Sequence, residues 1–232
     1  MIIDFHSHVL PGIDDGSKNV ETSVKMFTKS KADGVDIMVA TPHFYADTDR
    51  IEDFLKKREK SYLKLTENMT DDMPELYLGV EVAFFDGIDN AEKINNLTIE
   101  GTNALLLEMP FRKWSDRDIL QVNRLISNRK VCIIIAHLER YLNISGNARA
   151  VNSLLELPIA VQISAESLTD WKQSRHLIKM FKQGKAHLLG SDCHGMNHRP
   201  PNLIEGRNVI EKKAGSEYLQ EIDKTGCRLL GL

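Results

Sequence analysis

The sequence predicts an α/β protein whose parallel strands form a closed or nearly closed (β/α) barrel. Seven short apolar runs alternate with longer amphipathic segments along the 232 residues. The runs recur about every 33 residues, which suits a βαβ unit. No linker or change of composition divides the chain, so we expect a single domain over residues 1–232. A doubly wound open sheet is the alternative, because the sequence does not give the order of the strands.

The predicted strands are rich in Val, Ile and Leu and show little polar alternation. This pattern is typical of parallel strands that are buried on both faces. In chain order they are IIDFH (2–6), VDIMVATPH (35–43), ELYLGVEV (75–82), ALLLEM (104–109), VCIIIAH (131–137), PIAVQIS (158–164) and AHLLGSD (186–192).

The segments between the strands predict six helices. In the first, residues 20–32, Val20, Val24 and Phe27 recur at helical spacing, and Gly34 follows as a stop signal. Ser115 is a suitable N-cap for a helix over 116–126. The other predicted helices cover residues 50–66, 148–155, 174–183 and 202–212.

The composition argues against nucleic acid and the membrane as partners. The net charge is -3, so no basic footprint for nucleic acid is visible. The longest apolar run, VCIIIAHL (131–138), is far shorter than the roughly 20 residues that span a bilayer. Three cysteines without a CxxC fit a reducing compartment, and the N-terminus shows no signal-peptide pattern. We therefore expect a cytoplasmic protein with no membrane insertion.

Ionisable side chains follow nearly every predicted strand at its C-terminal end. His6 and His8 point to the same side if residues 2–8 are extended. Taken alone, this pair is about as often two partly buried histidines as a metal site. In a parallel barrel, however, the strand ends meet at one rim. We therefore expect a cluster there of His6, His8, Asp14, Asp15, His43, Glu81, Glu108, His137, Glu139, Arg140, Glu166, Asp192, His194 and Arg199.

A cluster of this kind predicts metal-dependent hydrolysis. Burying many ionisable groups together is costly unless cations pair with them. A mixed set of histidines and carboxylates favours transition metals over calcium. Nine candidate ligands are too many for one ion and indicate two or three. Neighbouring ions can lower the pKa of bound water to ~7 and neutralise a phosphoryl group. The chain has no GxxxxGK[ST], GxGxxG or GxSxG motif, so nucleotide-binding and serine-hydrolase functions lack support.

Cys193 and Arg199 have the Cys-x5-Arg spacing of cysteine-dependent tyrosine phosphatases. That class needs a glycine-rich loop whose backbone N–H groups surround the phosphate. The intervening HGMNH has one glycine, and Pro200 and Pro201 follow directly. We interpret this spacing as a coincidence.

The ordered motifs resemble the PHP (polymerase and histidinol phosphatase) superfamily. They are HSH (6–8), DDG (14–16), TPH (41–43), Glu81, HLERY (137–141) and SDCH…RPPN (191–202). The similarity is closest to the bacterial manganese-dependent protein tyrosine phosphatases of capsule and exopolysaccharide operons, and it spans residues 1 to about 210. It implies a distorted (β/α)7 TIM-like barrel with three metals at the rim. It also implies a phosphoric monoester hydrolase that cleaves phosphotyrosine with a metal-bridging hydroxide.

The resemblance also implies roles for individual residues. One metal would bind His6, His8, Glu81 and Asp192, a second Glu81, Glu108 and His137, and a third Asp15, His43 and His194. Asp14 remains an alternative to its neighbour in the loop. Arg140 and Arg199 match the two phosphate-binding arginines of the family, and the planar guanidinium suits that task because it binds phosphate oxygens in pairs.

The resemblance implies manganese as the metal, although such sites also accept Fe, Zn or Co. It implies a phosphotyrosine protein as substrate, namely a bacterial tyrosine autokinase, and leaves a homo-oligomer open. One departure is the segment after the sixth strand, where Glu166 adds a carboxylate to the family pattern and could alter the choice of substrate. The alternatives are a small-molecule phosphatase of the histidinol-phosphate kind and a metal-stabilised regulatory protein without turnover.

Overall fold

The computed structural model describes residues 1–232 and is a mixed α/β fold in which every strand pairing is parallel. The strands are β1 (Ile3–Ser7), β2 (Ile37–Ala40), β3 (His43–Phe44), β4 (Glu75–Leu78), β5 (Glu81–Ala83), β6 (Ala104–Glu108), β7 (Cys132–Ile135), β8 (Ala160–Ser164) and β9 (Leu188–Gly190). All seven predicted strand segments are therefore confirmed. The second and third are each interrupted once.

The helices are α1 (Val20–Ala32), α2 (Ile51–Thr66), α3 (Asp116–Arg129), α4 (Ala148–Leu155), α5 (Ala165–Thr169), α6 (Trp171–Lys182), α7 (Leu203–Lys213) and α8 (Ser216–Leu230). All six predicted helices are confirmed, and α1 and α4 have the predicted bounds. Asn19 caps α1, and Ser115 caps α3 in a reciprocal capping box with Asp118. None of these helices combines the length and the apolar character that crossing a bilayer requires.

The interruptions in two strands have local causes. Thr41 and Pro42 separate β2 from β3, and proline has no N–H to donate to a neighbouring strand. Gly79 and Val80 separate β4 from β5. The two segments are joined across the break, because the Glu81 amide donates to the Pro42 carbonyl at 3.1 Å. This bond places Glu81 at the start of β5, beside His43.

The strands form a three-stranded sheet, β1-β2-β4, and a six-stranded sheet, β3-β5-β6-β7-β8-β9. The strand order follows the chain order, without the reversal that defines a doubly wound sheet. Beyond β9 the chain pairs with β1. The Asp192 amide donates to the His6 carbonyl at 2.7 Å, and the His8 amide donates to the Cys193 carbonyl at 2.9 Å. The parallel sheet is therefore curled, and its last strand lies beside its first.

Both faces of the strands are buried, as the lack of polar alternation predicts. In β2, Met38 and Ala40 belong to a large apolar cluster, whereas Ile37 and Val39 belong to a smaller one. Successive side chains of a strand point to opposite faces, so each face of β2 packs against its own apolar layer.

Two helices were not predicted from the sequence, α5 and α8. Gly226 lies inside α8, where glycine normally disfavours a helix. A Cβ at this position would lie 2.8 Å from the Phe5 ring. The glycine therefore allows α8 to approach β1 closely, and this packing outweighs its low helix propensity.

Helix α7 packs tightly against α5 at Gly206, where a Cβ would lie 2.8 Å from the Cα and Cβ of Ala165. We expect Gly206→Ala to destabilise the protein by about 1–3 kcal/mol through overpacking, even though alanine favours a helix. Urea denaturation would measure this loss. Asn208→Ala, at an exposed position of the same helix, is the control and should change stability by less than about 0.5 kcal/mol. Equal stability of both variants would contradict the close packing.

Candidate metal centre

Seven of the nine predicted ligands lie near the C-terminal end of a strand or in the segment that follows one: β1, β6, β7 and β9. The other two, His43 and Glu81, begin the short strands β3 and β5, which follow the interruptions after β2 and β4. Because the strands are parallel, these ends meet at one edge of the curled sheet. The structure brings together His6, His8, Asp15, His43, Glu81, Glu108, His137, Asp192 and His194.

The centre of the cluster is the buried carboxylate of Glu81. Its Oε2 lies 3.2 Å from His6 Nε2, 3.4 Å from His8 Nε2 and 2.9 Å from His43 Nδ1. Its Oε1 lies 2.9 Å from His137 Nε2. One carboxylate is thus in contact with four imidazoles, at a position that is 1% exposed.

Two further carboxylates extend the cluster in different directions. Asp192 Oδ1 lies 3.5 Å from Nε2 of both His6 and His8. Glu108 Oε1 lies 3.4 Å from His137 Nε2. Both carboxylates are therefore within reach of an ion that also contacts Glu81.

The third side of the cluster is more open to solvent. Asp15 Oδ1 lies 3.5 Å from Nε2 of His43 and 3.5 Å from Nε2 of His194. The Asp15 side chain is 71% exposed, in contrast to the buried Glu81. An ion held here would face solvent more than one held next to Glu81.

The two neighbouring aspartates of the first loop have different environments. Asp14 accepts hydrogen bonds from His8 Nδ1 at 2.7 Å, from the Gly16 amide at 3.0 Å and from the His43 amide at 3.1 Å. Burial alone would raise the pKa of Asp14, but the hydrogen bond and charge of His8 lower it to about 2. The geometry therefore favours Asp15 as a ligand and Asp14 as the group that orients His8.

The hydrogen bonds of Nδ1 in His6 and His8 indicate that Nε2 of each ring is free to accept. His8 Nδ1 donates to a carboxylate, and His6 Nδ1 donates to the Gln162 carbonyl oxygen at 3.1 Å. In the neutral rings both Nε2 atoms are then acceptors, and they face each other at 3.1 Å. With the nearby oxygens of Glu81 and Asp192, several acceptors converge on one point without a donor between them.

This arrangement fits a cation. Glu81 Oε2 and His43 Nδ1 are buried and have no hydrogen-bond partner, although they lie 2.9 Å apart. Unpaired buried polar atoms are rare because they cost free energy. Burial would lower the pKa of His8, but Asp14, Asp192 and Glu81 raise it well above its usual value, so the position attracts positive charge strongly. Imidazole nitrogen and carboxylate oxygen are the donors that transition metals prefer.

Three overlapping groups of side chains have ligand atoms close enough to hold an ion. They are His8, Asp15, His43 and His194; His6, His8 and Glu81; and His43, Glu81 and Glu108. The partition differs from the expected one, because His8 also faces the solvent-exposed group and His43 also lies near Glu108. The overlap arises because the rings of His8 and His43 lie only 4.5 Å apart, between the groups.

The two predicted phosphate-binding arginines lie at the edge of the cluster. Arg140 Nη2 and Arg199 Nη1 both donate to Asp192 Oδ2, the latter at 3.2 Å, and Arg199 Nη2 also contacts His194 Nε2. The two side chains are 32% and 35% exposed. Both guanidinium groups therefore adjoin Asp192 and remain accessible from solvent.

Backbone strain is concentrated at the same place. Four residues other than glycine have positive φ, and three of them are His137 (31°), Asp192 (52°) and Arg199 (49°). Side chains disfavour this left-handed region, so the surrounding structure must hold these residues in place.

Two residues that were not predicted from the sequence, Gln162 and Asp4, hold the predicted ligands in position. Gln162 accepts from the His137 amide at 2.8 Å as well as from His6. Asp4 accepts from the Ser191 amide at 2.8 Å, and burial raises its pKa to about 6. A polar residue within an apolar strand was the available signal in both cases, because a buried polar side chain needs a partner.

The sequence predicts that Glu166, in the segment after β8, joins the cluster, but the structure places it elsewhere. Glu166, the additional carboxylate, is exposed on α5. The buried carboxylate of Glu139 instead accepts from the Ser164 amide at 3.3 Å and from the Ser167 hydroxyl at 3.2 Å. These bonds connect α5 to the turn that carries Arg140.

Cys193 is fully buried, and burial raises the pKa of its thiol well above the usual range. Its side chain belongs to the large apolar cluster. A nucleophilic cysteine must be an accessible thiolate. The structure therefore favours the interpretation that the Cys-x5-Arg spacing is a coincidence.

The sequence matches the family model described as "Capsular polysaccharide synthesis, CpsB/CapC" over residues 2–228. It is 27% identical over 239 residues to the tyrosine-protein phosphatase CpsB of Streptococcus pneumoniae, covering 95% of this chain and 94% of that protein. It is 31% identical over 245 residues to CapC of Staphylococcus aureus, covering 99% and 91%. These matches confirm the resemblance that the motifs indicate.

The fold is also similar to a solved structure. A chain from a crystallographic study of YwqE from Bacillus subtilis and CpsB from Streptococcus pneumoniae, described there as metal-dependent tyrosine phosphatases, superimposes with a TM-score of 0.83. The sequences are 22% identical, and the alignment covers 99% of this chain and 94% of the other. At this level of identity the similarity establishes the α/β fold.

Glu81 and Glu108 should differ in their importance for metal binding. Glu81 contacts four histidines, whereas Glu108 contacts His137 near the edge. We expect Glu81→Ala to lose about two ions and Glu108→Ala at most one, since a bridging carboxylate serves two ions at once. Elemental analysis of the purified variants would measure this. Glu166→Ala, exposed on α5, should keep the wild-type metal content. Equal metal content in the Glu81 and Glu108 variants would argue against a bridging Glu81.

Proposed function

The chain belongs to the CpsB/CapC capsular polysaccharide synthesis family, and we propose that it is a metal-dependent protein tyrosine phosphatase. One observation carries the proposal. Two partly exposed arginines lie against a buried cluster of histidines and carboxylates that fits divalent cations. A protein that only bound metal would not need such cationic groups beside the cluster.

The cluster would hold two or three divalent ions, most simply Mn²⁺, with Fe, Zn or Co as alternatives. The proposed ligands are His6, His8, Asp15, His43, Glu81, Glu108, His137, Asp192 and His194. When bound, the ions supply the Lewis acidity that activates water and neutralises phosphoryl charge.

The chain's own residues position the reacting groups. Asp14 and Gln162 fix the rings of His8 and His6 with Nε2 toward the cluster. Arg140 and Arg199 bind the phosphoryl group of the substrate and stay cationic throughout, because arginine does not deprotonate in proteins. In the transition state, negative charge spreads over the equatorial oxygens of the phosphoryl group. Guanidinium groups already in place stabilise this charge without reorganising.

We further propose that residues 1–232 form one domain, a distorted (β/α)7 barrel. Two observations support a barrel. The interrupted strands β2/β3 and β4/β5 each count as one strand, which gives seven. The hydrogen bonds between the segment after β9 and β1 join the two edges of the curled sheet.

The proposed physiological substrate is a phosphotyrosine protein in the cytoplasm, namely a bacterial tyrosine autokinase that controls capsule or exopolysaccharide synthesis. The support is the description of the family together with the name of the pneumococcal relative. A phosphatase assay tests the reaction. The enzyme with added Mn²⁺ should hydrolyse a phosphotyrosine peptide in preference to histidinol phosphate, and a chelator should abolish this activity. A preference for histidinol phosphate would assign the enzyme to small-molecule substrates.

Catalysis should depend on metal and not on the thiol. We expect Cys193→Ser and Cys193→Ala to retain most of the activity, because the thiol is buried and protonated. Removal of metal should reduce the rate to background. Activity assays with parallel metal analysis would measure both effects. An inactive Cys193 variant with a normal metal content would reinstate a thiol mechanism.

Arg140 and Arg199 should affect the rate and not the metal content. We expect Arg140→Ala and Arg199→Ala to fold, to bind metal normally and to lose activity by a factor of about 10²–10³. Lysine should restore little of it, because a point charge cannot reproduce a bidentate contact. Steady-state kinetics with a small aryl phosphate would measure the loss.

The control is Arg149→Ala, whose side chain is exposed on α4 and which should keep wild-type rates. An arginine variant impaired only on phosphoprotein, and not on the small substrate, would mean that this arginine recognises the protein partner.

A further inference from the structure

Two aromatic side chains stand exposed beside the metal cluster. Tyr45, directly after β3, is 42% exposed, and Phe111, in the loop after β6, is 59% exposed. The Tyr45 ring stacks on the His43 ring at 5.4 Å and 29°, and the Phe111 ring stacks on the His137 ring at 6.0 Å and 20°. Each aromatic ring thus covers one histidine of the cluster while remaining open to solvent.

The two rings flank one part of the cluster. His43 and His137 contact different oxygens of the same carboxylate, that of Glu81. Glu108 lies near both histidines: its Oε1 is 3.4 Å from His137 Nε2, and its carboxylate is within 4.8 Å of a ring nitrogen of His43.

Phe111 is held in place although it is exposed. Its ring also packs on Tyr141, with centroids 5.1 Å apart. Trp114 Nε1 donates to the Pro110 carbonyl at 2.9 Å. Arg112 donates to both oxygens of Asp118, at 2.7 and 3.0 Å. The loop therefore presents the phenyl ring to solvent in a fixed position, which reduces the entropic cost of binding a ligand against it.

We propose that Tyr45 and Phe111 form an aromatic slot for the phenyl ring of the substrate, while Arg140 and Arg199 bind its phosphate. The proposal rests on the proposed function and adds the source of its specificity. A phenyl ring in the slot would stack on the rings of Tyr45 and Phe111, whereas a phosphorylated serine or threonine has no ring to place there. The slot therefore selects aryl over alkyl phosphomonoesters.

The test compares two non-hydrolysable ligands that share a head group, phenylphosphonate and methylphosphonate. Calorimetry with the metal-loaded enzyme measures both affinities. We expect the wild type to prefer phenylphosphonate. Tyr45→Ala and Phe111→Ala should each reduce this preference by roughly 3- to 10-fold, the usual contribution of an aromatic pair, and should leave methylphosphonate binding unchanged. Tyr45→Phe and Phe111→Tyr keep the ring and should keep the preference.

The control is Leu63→Ala. Leu63 is an exposed apolar residue near the C-terminal end of α2, on the segment that leads to the start of β4. The Leu63 variant should leave both affinities unchanged.

Tyr45→Ala and Phe111→Ala should also lower kcat/KM for a phosphotyrosine peptide, by a factor similar to their effect on the binding preference.

Three outcomes would contradict the aromatic slot. The first is a wild type that does not prefer phenylphosphonate, and the second is that both alanine variants keep the preference. The third is that the variants lose affinity for both phosphonates equally, which would mean that they disturb the metal cluster. Failure of the proposed function is distinguishable, since a wild type that hydrolyses no aryl phosphate can still show the binding preference and its loss in the variants.

Discussion

The structure of the site depends on one buried carboxylate, that of Glu81, placed among four imidazoles. A carboxylate out of water is costly unless positive charge compensates it. In two of the four rings, those of His8 and His6, Nδ1 is already bonded to Asp14 and Gln162, so Nε2 of the neutral ring faces Glu81 as an acceptor. Bound cations would satisfy these acceptors together, so the arrangement favours a metal centre over a purely structural cluster.

The fold supports this arrangement from outside the cluster. The short β5 follows the break at Gly79 and Val80, and its pairing with β3 and β6 sets Glu81 beside His43 and near Glu108. Gln162 in β8 connects His6 to the His137 backbone, and Asp4 connects β1 to Ser191. The side chains that connect the strands thus also orient the histidine rings. Residues that hydrogen-bond to the ligands of a metal site commonly have this role. Hydrogen bonds also hold the backbone at the three residues with positive φ: the His137 amide donates to Gln162, the Asp192 amide donates to the His6 carbonyl, and the Arg199 carbonyl accepts from the His194 amide.

The sequence predicted the strands and the identity of the clustered residues for a simple physical reason. When the strands are parallel, the His, Asp and Glu residues that follow the apolar runs come together at one edge of the sheet. It could not separate Asp14 from Asp15, because the difference lies in which carboxylate reaches His8 across a loop. Nor could it show that His43 contacts Glu81 while lying close to Glu108, since that depends on the break at Thr41 and Pro42 and on the curl of the sheet. Helix α8 was not predicted, because glycine disfavours a helix and the reason for Gly226 is its close packing against Phe5, a residue remote in sequence.

The pairing of β1 with the segment after β9 has a consequence for biogenesis. His6 and Asp192 share a backbone hydrogen bond, and His6 Nε2 lies 3.5 Å from Asp192 Oδ1, although 186 positions separate the two residues. During synthesis, at about 5–20 residues per second, the nascent chain exposes His6 and His8 long before Asp192 and His194 emerge from the ribosome. Contacts between such distant segments form late and slowly. A truncated or stalled chain therefore presents His6 and His8 without Asp192 and His194, and only a chain that includes the segment after β9 can assemble the complete cluster.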